Sequence, residues 1–150
     1  MDRPFVSVVI PLYNRADQIT GTLRSVFAQT FANFEIVVVD DGSSDNPEQV
    51  LQAIEDGRLR LIHQENQGAS AARNRGVQEA RGELIAFLDS DDRFLPHHIE
   101  TMVELLAAAP DTAAYSQVIA DRGKGRSFAK PARSIGPDEN MANYLVCHGG

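Results

Sequence analysis

Short runs of apolar residues alternate with amphipathic segments along most of this chain. Apolar and β-branched side chains fill Val6–Leu12 and residues 34–39, and shorter runs follow at residues 59–62 and 84–88. Runs with so few polar interruptions are typical of strands buried on both faces, as in a parallel sheet. The pattern therefore predicts four strands, with the second of them in the centre of the sheet.

Between these runs, apolar side chains recur every three or four residues, as they do on one face of a helix packed on a sheet. The predicted buried positions are Ile19, Leu23, Val26 and Phe27 in the first helix and Val50, Leu51 and Ile54 in the second. Ser44 or Asp45 is expected to cap the second helix. Because strands and helices alternate, we predict an α/β fold, a mostly parallel sheet sandwiched by helices with right-handed crossovers.

Two further helices are predicted in the second half of the chain. Small side chains over residues 68–81, ended by Gly82, would let a third helix approach the sheet closely. The small or apolar positions of this helix are Ala69, Ala72, Gly76, Val77 and Ala80. A fourth helix would open at Pro96, with Ile99, Val103, Leu105 and Leu106 as its apolar positions. Residues 113–120 are interpreted as another strand and residues 121–137 as an irregular loop.

Length and charge narrow the classes of protein that fit. A chain of 150 residues fits one compact domain. Its net charge of −7 argues against a nucleic-acid partner, which would need a basic face. No apolar run approaches the roughly 18–20 residues that span a bilayer. The single cysteine, Cys147, and the lack of an apolar leader favour a cytoplasmic location, with the inner face of the membrane as an alternative.

Three of the predicted strands end in segments that contain polar residues. They lie at residues 11–14, 40–42 and 89–92. Because parallel strands place their carboxyl ends on the same side of a sheet, we expect these segments to converge on one edge, where such sheets bind ligands. The predicted result is a cleft with several ionised carboxylates.

The aspartates of residues 89–92 indicate a cation site, although a solvated turn would explain them if they stood alone. Packed carboxylates repel one another unless they are compensated, and Asp89 with Asp91 offers hard oxygen ligands suited to Mg²⁺ or Mn²⁺. Such ions keep positions for substrate phosphates, which points to a nucleoside diphosphate. An EF-hand is excluded because Arg93 and Phe94 occupy positions that need a ligand and a glycine.

Two adjacent carboxylates, Asp40 and Asp41, close the second predicted strand, where one of them must face the cleft. A turn explains Gly42 but not the paired aspartates. A carboxylate at this position could accept a ring N–H from uracil, whereas adenine in its usual form has no such donor. Uridine is therefore favoured over thymidine or guanosine. Tyr13 is either a residue that stacks on the base or a simple rim residue.

Arginines near the start of the third helix are candidates for neutralising the diphosphate. Arg73 and Arg75 lie where free backbone N–H groups also favour anions. Ion pairs with Glu79 or Glu83 are the alternative for either arginine. No cysteine and histidine cluster has the spacing of a zinc site.

Four segments, in this order, resemble the family 2 glycosyltransferases with a GT-A fold. They are SVVIPLYN at residues 7–14, VDDGSSD at residues 39–45, NQG at residues 66–68 with ARNRG at residues 72–76, and FLDSDD at residues 87–92. By this resemblance, Asp41 would bind the uracil ring, with Pro11 and Tyr13 lining the base pocket. Asp89 would approach the ribose, and Arg73 would lie near the sugar phosphate.

The resemblance also implies a metal and an inverting reaction. Asp91 would hold a divalent Mn²⁺ or Mg²⁺ that bridges the diphosphate, with Asp89 and Asp92 as additional candidate contacts. Inversion needs a carboxylate base that takes the proton of the acceptor. Asp138 and Glu139 form the only late acidic pair and do not recreate the base motif of the family, so the catalytic base is not assigned.

The resemblance implies transfer of a sugar from a nucleotide diphosphate sugar to a hydroxyl acceptor. The nucleotide would be UDP, because uridine is the favoured nucleoside. The acceptor would be a growing polysaccharide or lipid-linked glycan of the cell envelope. Residues 1–150 would form one GT-A domain, with the nucleotide-sugar-binding portion in residues 1–110 and no assignment for residues 111–150. Family members are normally longer, so we expect the chain to stop before much of the acceptor half and to self-associate through exposed apolar surface.

Two other functions remain open at this point. A non-catalytic module that binds nucleotide sugars would share the cleft, and a nucleotidyltransferase would share the nucleotide and the metal. Transfer to a hydroxyl acceptor distinguishes the enzyme from the module, and exchange with pyrophosphate identifies the nucleotidyltransferase. A dinucleotide-binding oxidoreductase is a poor fit because no G-x-G-x-x-G follows the first strand.

Overall fold

The computed structural model describes residues 3–108, 119–121 and 127–129. The chain divides into two compact units, residues 1–110 and residues 111–150. The elements of the first unit are β1 (Val6–Leu12), α1 (Ile19–Phe27), β2 (Phe34–Asp41), α2 (Pro47–Gln52), β3 (Leu59–Gln64), α3 (Ala69–Glu79), β4 (Leu84–Phe87) and α4 (His98–Ala108). Over the described residues, no helix is both long and apolar enough to cross a membrane.

The first unit contains a four-stranded parallel sheet with the strand order β3-β2-β1-β4. The two inner strands are buried along their whole length, which explains their nearly unbroken apolar sequences. The predicted central position of β2 is confirmed. β2 is longer than predicted, however, because it continues through Asp40 and Asp41, whose backbones pair with His63 and Gln64 of β3.

Both faces of the sheet are covered, as predicted for an α/β sandwich. Alternate residues of β1 and β2 point to opposite faces, so each strand contributes to two cores. One core contains Val8, Ile10, Ile36 and Val38 with the buried side of α1 and with Ile99 of α4. The other contains Val9, Val37 and Val39 with Ala72 of α3.

Some predicted helix positions are wrong in detail. Leu105 in α4 and Val77 in α3 are exposed rather than packed on the sheet. The predicted cap of α2 is also wrong, because Asn46 precedes this helix in a left-handed conformation and no side chain caps it. Asp45 instead accepts the backbone N–H of Ala16. This aspartate therefore joins the loop after β2 to the loop after β1.

The third helix approaches the sheet as closely as its small residues predicted. Ala72 and Gly76 are its buried positions, and a Cβ atom added at Gly76 would overlap the Val9 side chain. The helix ends at Glu79, so Gly82 does not terminate it. Gly82 instead lies against the backbone of β1, where its N–H donates to the Ser7 hydroxyl.

The second unit contributes two short strands, β5 (Ile119–Asp121) and β6 (Ser127–Ala129), which pair antiparallel. The prediction of an irregular loop over residues 121–137 is therefore wrong at β6. The predicted strand over residues 113–120 overlaps β5 only at its end, and residues 113–118 lie outside the described part of the chain.

Substitution of Gly76 by alanine should destabilise the protein although alanine is the better helix former. We expect a loss of about 1–2 kcal/mol, because the overlap with Val9 outweighs a helix-propensity gain of up to about 1 kcal/mol. Urea unfolding measures the difference. Gly57→Ala is the control, since an added Cβ there meets no atom. Equal stability of the two variants would contradict the close packing.

Candidate functional site

A cleft of about 550 Å³ lies where β1, β2 and β4 end. The last residues of these strands and those just after them meet the start of α3 around it, which confirms the predicted convergence on one edge. The side chains and backbone that line it belong to Pro11, Leu12, Tyr13, Arg15, Asp41, Asn66, Gly68, Ala69, Ala72, Arg73, Asp89, Ser90 and Asp91. The cleft thus contains two arginines and three of the predicted aspartates.

Asp41, the last residue of β2, is the most buried ionisable residue of the cleft, with 3% of its surface exposed. Its Oδ1 atom accepts the Gln64 side-chain amide at 2.7 Å and the Gln67 backbone N–H at 2.9 Å. Its Oδ2 atom accepts the Gly68 backbone N–H at 2.8 Å. A buried carboxylate needs such donors, and here the start of α3 supplies two of them.

These hydrogen bonds decide the charge of Asp41. Burial alone would raise its pKa, but the donors Gln67, Gln64 and Gly68 outweigh burial and hold the pKa below the ordinary aspartate value. A carboxylate offers about four acceptor positions, and three are used within the protein. Asp41 is therefore an anion that can accept one more hydrogen bond from the cleft.

Asp40 forms hydrogen bonds in the turn after β2, unlike its neighbour Asp41. Its Oδ1 atom accepts the Ser43 backbone N–H at 3.0 Å, and its Oδ2 atom lies 3.1 Å from Nδ1 of His63. Asp40 shapes the turn after β2 and does not line the cleft. One aspartate of the pair was expected to face the cleft, and Asp41 is the one that lines it.

The loop after β1 is fixed by hydrogen bonds to the loop after β2. Asn14 adopts a left-handed conformation with φ of 50°, and its Oδ1 atom accepts the Ser44 backbone N–H at 2.8 Å. Its own N–H donates to the Ser43 hydroxyl at 3.0 Å. The loop holds Tyr13 at the rim of the cleft, where the ring is half exposed and free to contact a ligand.

Residues 89–92 form a turn that a hydrogen bond from α1 holds in place. The Asp92 N–H donates to the Asp89 carbonyl at 3.0 Å, and the buried Ser90 carbonyl accepts the Thr22 hydroxyl at 2.8 Å. Asp89 and Asp91 remain about half exposed at the cleft. The anchor at Ser90 therefore presents both carboxylates to a ligand.

Each of these two carboxylates is paired with an arginine. An Nη atom of Arg73, from α3, lies 2.6 Å from Asp89 Oδ1. An Nη atom of Arg15 lies 2.9 Å from Asp91 Oδ2. Arg75 instead pairs with Glu79 at 2.8 Å along α3 and does not line the cleft, so the alternative of a helix ion pair is correct for this residue.

Asp92 lies close to the carboxylates of Asp91 and Asp89. Burial, followed by the charges of Asp91 and Asp89, raises the pKa of Asp92 above the ordinary aspartate value. A divalent cation would relieve this repulsion, and the oxygens suit Mg²⁺ or Mn²⁺. The described residues contain no group of three acidic, histidine or cysteine side chains arranged around a common metal position. The turn fits a metal only if a ligand completes its coordination.

Sequence reasoning missed Arg15 and Gln64 as residues of the site. Arg15 directly follows the segment that carries the resemblance, so its position just after the end of the first strand could have indicated that it lies at the cleft. Gln64 was missed because β3 is two residues longer than the predicted 59–62, and its side chain reaches Asp41 only in that longer register.

Comparison with known proteins places this geometry in a family. The chain matches the model of Glycosyl transferase family 2 over residues 7–147. EpsH of Bacillus subtilis (strain 168), which is named as a glycosyltransferase, is 41% identical over 147 residues, covering 97% of this chain and 43% of EpsH. TuaG of the same strain, named for teichuronic acid biosynthesis, is 33% identical, covering 96% of this chain and 60% of TuaG. The chain thus spans less than two thirds of either relative.

Solved structures with a similar fold are known with nucleotide sugars bound. S. aureus TarS 1-349 in complex with UDP-GlcNAc is similar with a TM-score of 0.65 and 31% identity, covering 69% of this chain and 31% of TarS 1-349. The mannosyltransferase PcManGT from Pyrobaculum calidifontis, in complex with GDP-Man and Mn²⁺, is similar with a TM-score of 0.63 and 29% identity, covering 71% and 33% of the two chains. These similarities confirm the predicted GT-A fold.

The carboxylate of Asp41 should stabilise the fold fully above the ordinary aspartate pKa of 3.8 and progressively less below it. Its pKa is lowered in the folded protein, so its contribution is complete above that value and is lost as the pH falls toward the lowered pKa. Asp41→Asn replaces one acceptor oxygen by a donor that faces a backbone N–H, that of Gln67 or that of Gly68, and should cost about 1–3 kcal/mol near pH 7.

The measurement is urea unfolding of the wild type and of Asp41→Asn between about pH 7 and pH 3. We expect the stability difference to shrink as the pH falls. The exposed Glu55 has no hydrogen bond within the described residues, so Glu55→Gln serves as the control and should change stability little. A difference that is independent of pH would contradict an ionised Asp41.

Proposed function

The chain belongs to glycosyl transferase family 2, and we propose that its cleft binds a uridine diphosphate sugar as the donor of an inverting glycosyl transfer. The observation that carries this proposal is the state of Asp41, a buried carboxylate that lines the cleft and accepts three hydrogen bonds from the protein, one fewer than it can accept. The arginines and aspartates around it supply what a diphosphate and a cation need. The names of the similar structures support a nucleotide-sugar donor, with UDP in one and GDP in another.

In the proposed complex, Asp41 accepts the ring N–H of uracil through its remaining acceptor position. Pro11 and Tyr13 line the base pocket, and the exposed ring of Tyr13 can stack on the base. Adenine has no equivalent ring donor, so the site favours uracil over adenine. Guanine also carries a ring N–H, so the Asp41 contact distinguishes uracil from guanine less well than from adenine.

The sugar and diphosphate then extend from Asp41 toward the turn at residues 89–92. In this proposal Asp89 approaches the ribose, and Arg73, whose side chain pairs with Asp89, turns to the phosphates. Asp91 would hold Mn²⁺ or Mg²⁺, with Asp89 and Asp92 as additional contacts. When bound, the cation supplies charge stabilisation for the departing diphosphate. Arg73 adds a second positive charge at the same leaving group.

The acceptor is proposed to be a hydroxyl group of a growing polysaccharide or lipid-linked glycan, at the cytoplasmic side of the membrane. Inversion requires that the hydroxyl attack the anomeric carbon from the face opposite to the diphosphate and lose its proton to a carboxylate. Asp138 and Glu139 lie outside the described residues, and the base stays unassigned.

The proposal predicts nucleotide binding that depends on both a metal and Asp91. Calorimetric titration with UDP should show affinity that rises at least about tenfold when Mn²⁺ is added, since one cation bridges two anions. Asp91→Asn should remove most of this gain, and the metal-free affinity should not fall, because the substitution removes a negative charge beside the diphosphate. Glu55→Gln, which removes an equal charge from an exposed position outside the cleft, should behave as the wild type.

Parallel titrations with GDP and ADP test the base. We expect UDP and GDP to bind more tightly than ADP, because only uracil and guanine carry a ring N–H for Asp41. Equal affinity for ADP and UDP in the folded wild type would refute the role of Asp41. No binding of any nucleotide would refute the donor site itself.

A further inference from the structure

Arg15 occupies a position in the cleft that the proposed function does not yet use. Its guanidinium lies 2.9 Å from the Asp91 carboxylate, and both side chains are 42% exposed. The same Nη atom is 3.3 Å from the Gln18 side-chain oxygen. Arg15 therefore contacts the carboxylate that is proposed to hold the cation, in a region that solvent and ligands can reach.

The backbone of Arg15 is held more firmly than its side chain. Both neighbours are tied to the loop after β2, Asn14 through Ser43 and Ser44, and Ala16 through the Asp45 carboxylate at 2.8 Å. The Arg15 carbonyl accepts the N–H groups of Gln18 and Ile19 at the start of α1. A ligand could therefore redirect the guanidinium by side-chain rotation alone, without opening the loop.

A guanidinium and a divalent cation cannot share the same Asp91 oxygen at little cost, because both are positive. A cation that binds without nucleotide must displace Arg15 and leave it beside a new positive charge. A nucleoside diphosphate changes this balance, since its phosphate oxygens are good bidentate partners for a displaced guanidinium. Binding of the nucleoside diphosphate should therefore increase the affinity for the cation. By thermodynamic necessity, the cation then increases the affinity for the nucleoside diphosphate by the same factor.

We propose that Arg15 is a diphosphate-binding residue that neutralises Asp91 while the cleft is empty and yields it to the cation when the donor binds. The second half of this proposal, binding of the diphosphate by Arg15, rests on the proposed donor site. The first half, competition between Arg15 and a cation for Asp91, concerns the chain without nucleotide. The two halves can therefore be tested separately.

The variant Arg15→Gln removes the charge and keeps a side chain of moderate length. Titration with Mn²⁺ alone, followed by the electron paramagnetic resonance signal of the free ion, should show affinity about three- to tenfold higher than in the wild type. Titration with UDP in saturating Mn²⁺ should show affinity about five- to thirtyfold lower, because a charge-assisted contact to the diphosphate is lost. Uridine, which has no phosphate, should bind both proteins equally.

The matched control is Arg75→Gln. It breaks an exposed ion pair of nearly the same length, with Glu79 at 2.8 Å, but outside the cleft. It should alter neither titration. A double variant, Arg15→Gln with Asp91→Asn, should lose the gain in Mn²⁺ affinity, because that gain requires the Asp91 carboxylate.

The outcomes separate this proposal from the proposed function. Unchanged Mn²⁺ affinity in Arg15→Gln would overturn the counter-ion role of Arg15 whether or not UDP binds. Unchanged UDP affinity, in a wild type that does bind UDP with Mn²⁺, would overturn the diphosphate role and leave the donor site intact. Failure of the wild type to bind UDP would overturn the donor site, and the diphosphate role with it.

Discussion

The arrangement of the cleft depends on two buried carboxylates at opposite ends of one strand, Glu35 and Asp41 of β2. The residues at odd-numbered positions of this strand face α3, because side chains alternate along a strand. Asp41 accepts the N–H groups of Gln67 and Gly68 at the start of α3. Glu35 accepts the Arg81 N–H at 2.6 Å just beyond the end of the helix, and the Ser7 hydroxyl at 2.7 Å. Between them, Val37 and Val39 supply the apolar contact.

This arrangement sets where α3 lies relative to the sheet. A carboxylate at a helix start is favoured by the free N–H groups and by the helix dipole. Burial alone would raise the pKa of Glu35, but Ser7, Arg81 and Arg60 lower it below the ordinary glutamate value, so both ends of β2 carry charge. Close packing of Gly76 on Val9 leaves the helix little freedom between its ends. The contacts at both ends of α3 and at Gly76 thereby hold the backbone of Arg73 at the cleft.

The sequence predicted the parts of this structure that follow from periodicity. The four strands, the sandwich and the convergence of strand ends depend on runs of apolar residues. The pair Asp40 and Asp41 was identified because two carboxylates close a buried strand, and the family resemblance singled out Asp41. Hydrogen bonds between loops could not be predicted in this way. The left-handed Asn46 and the contact of Asp45 with Ala16 depend on where two loops meet in space. Leu105 was misplaced because it lies six residues after the buried Ile99, about 120° away around the helix. Val103 and Leu106, which share the face of Ile99, are half-buried.

The carboxylates of the cleft fall into two kinds that differ in what a ligand can do to them. Asp41 is buried, and backbone groups supply two of its donors, so its partners cannot leave without moving α3. Asp89 and Asp91 are about half exposed, and their partners are flexible arginine side chains. Exposed ion pairs of this kind contribute little to stability, so exchanging them for a ligand costs little. A rigid anion beside exchangeable ion pairs can recognise one end of a ligand while rearranging around its charged end.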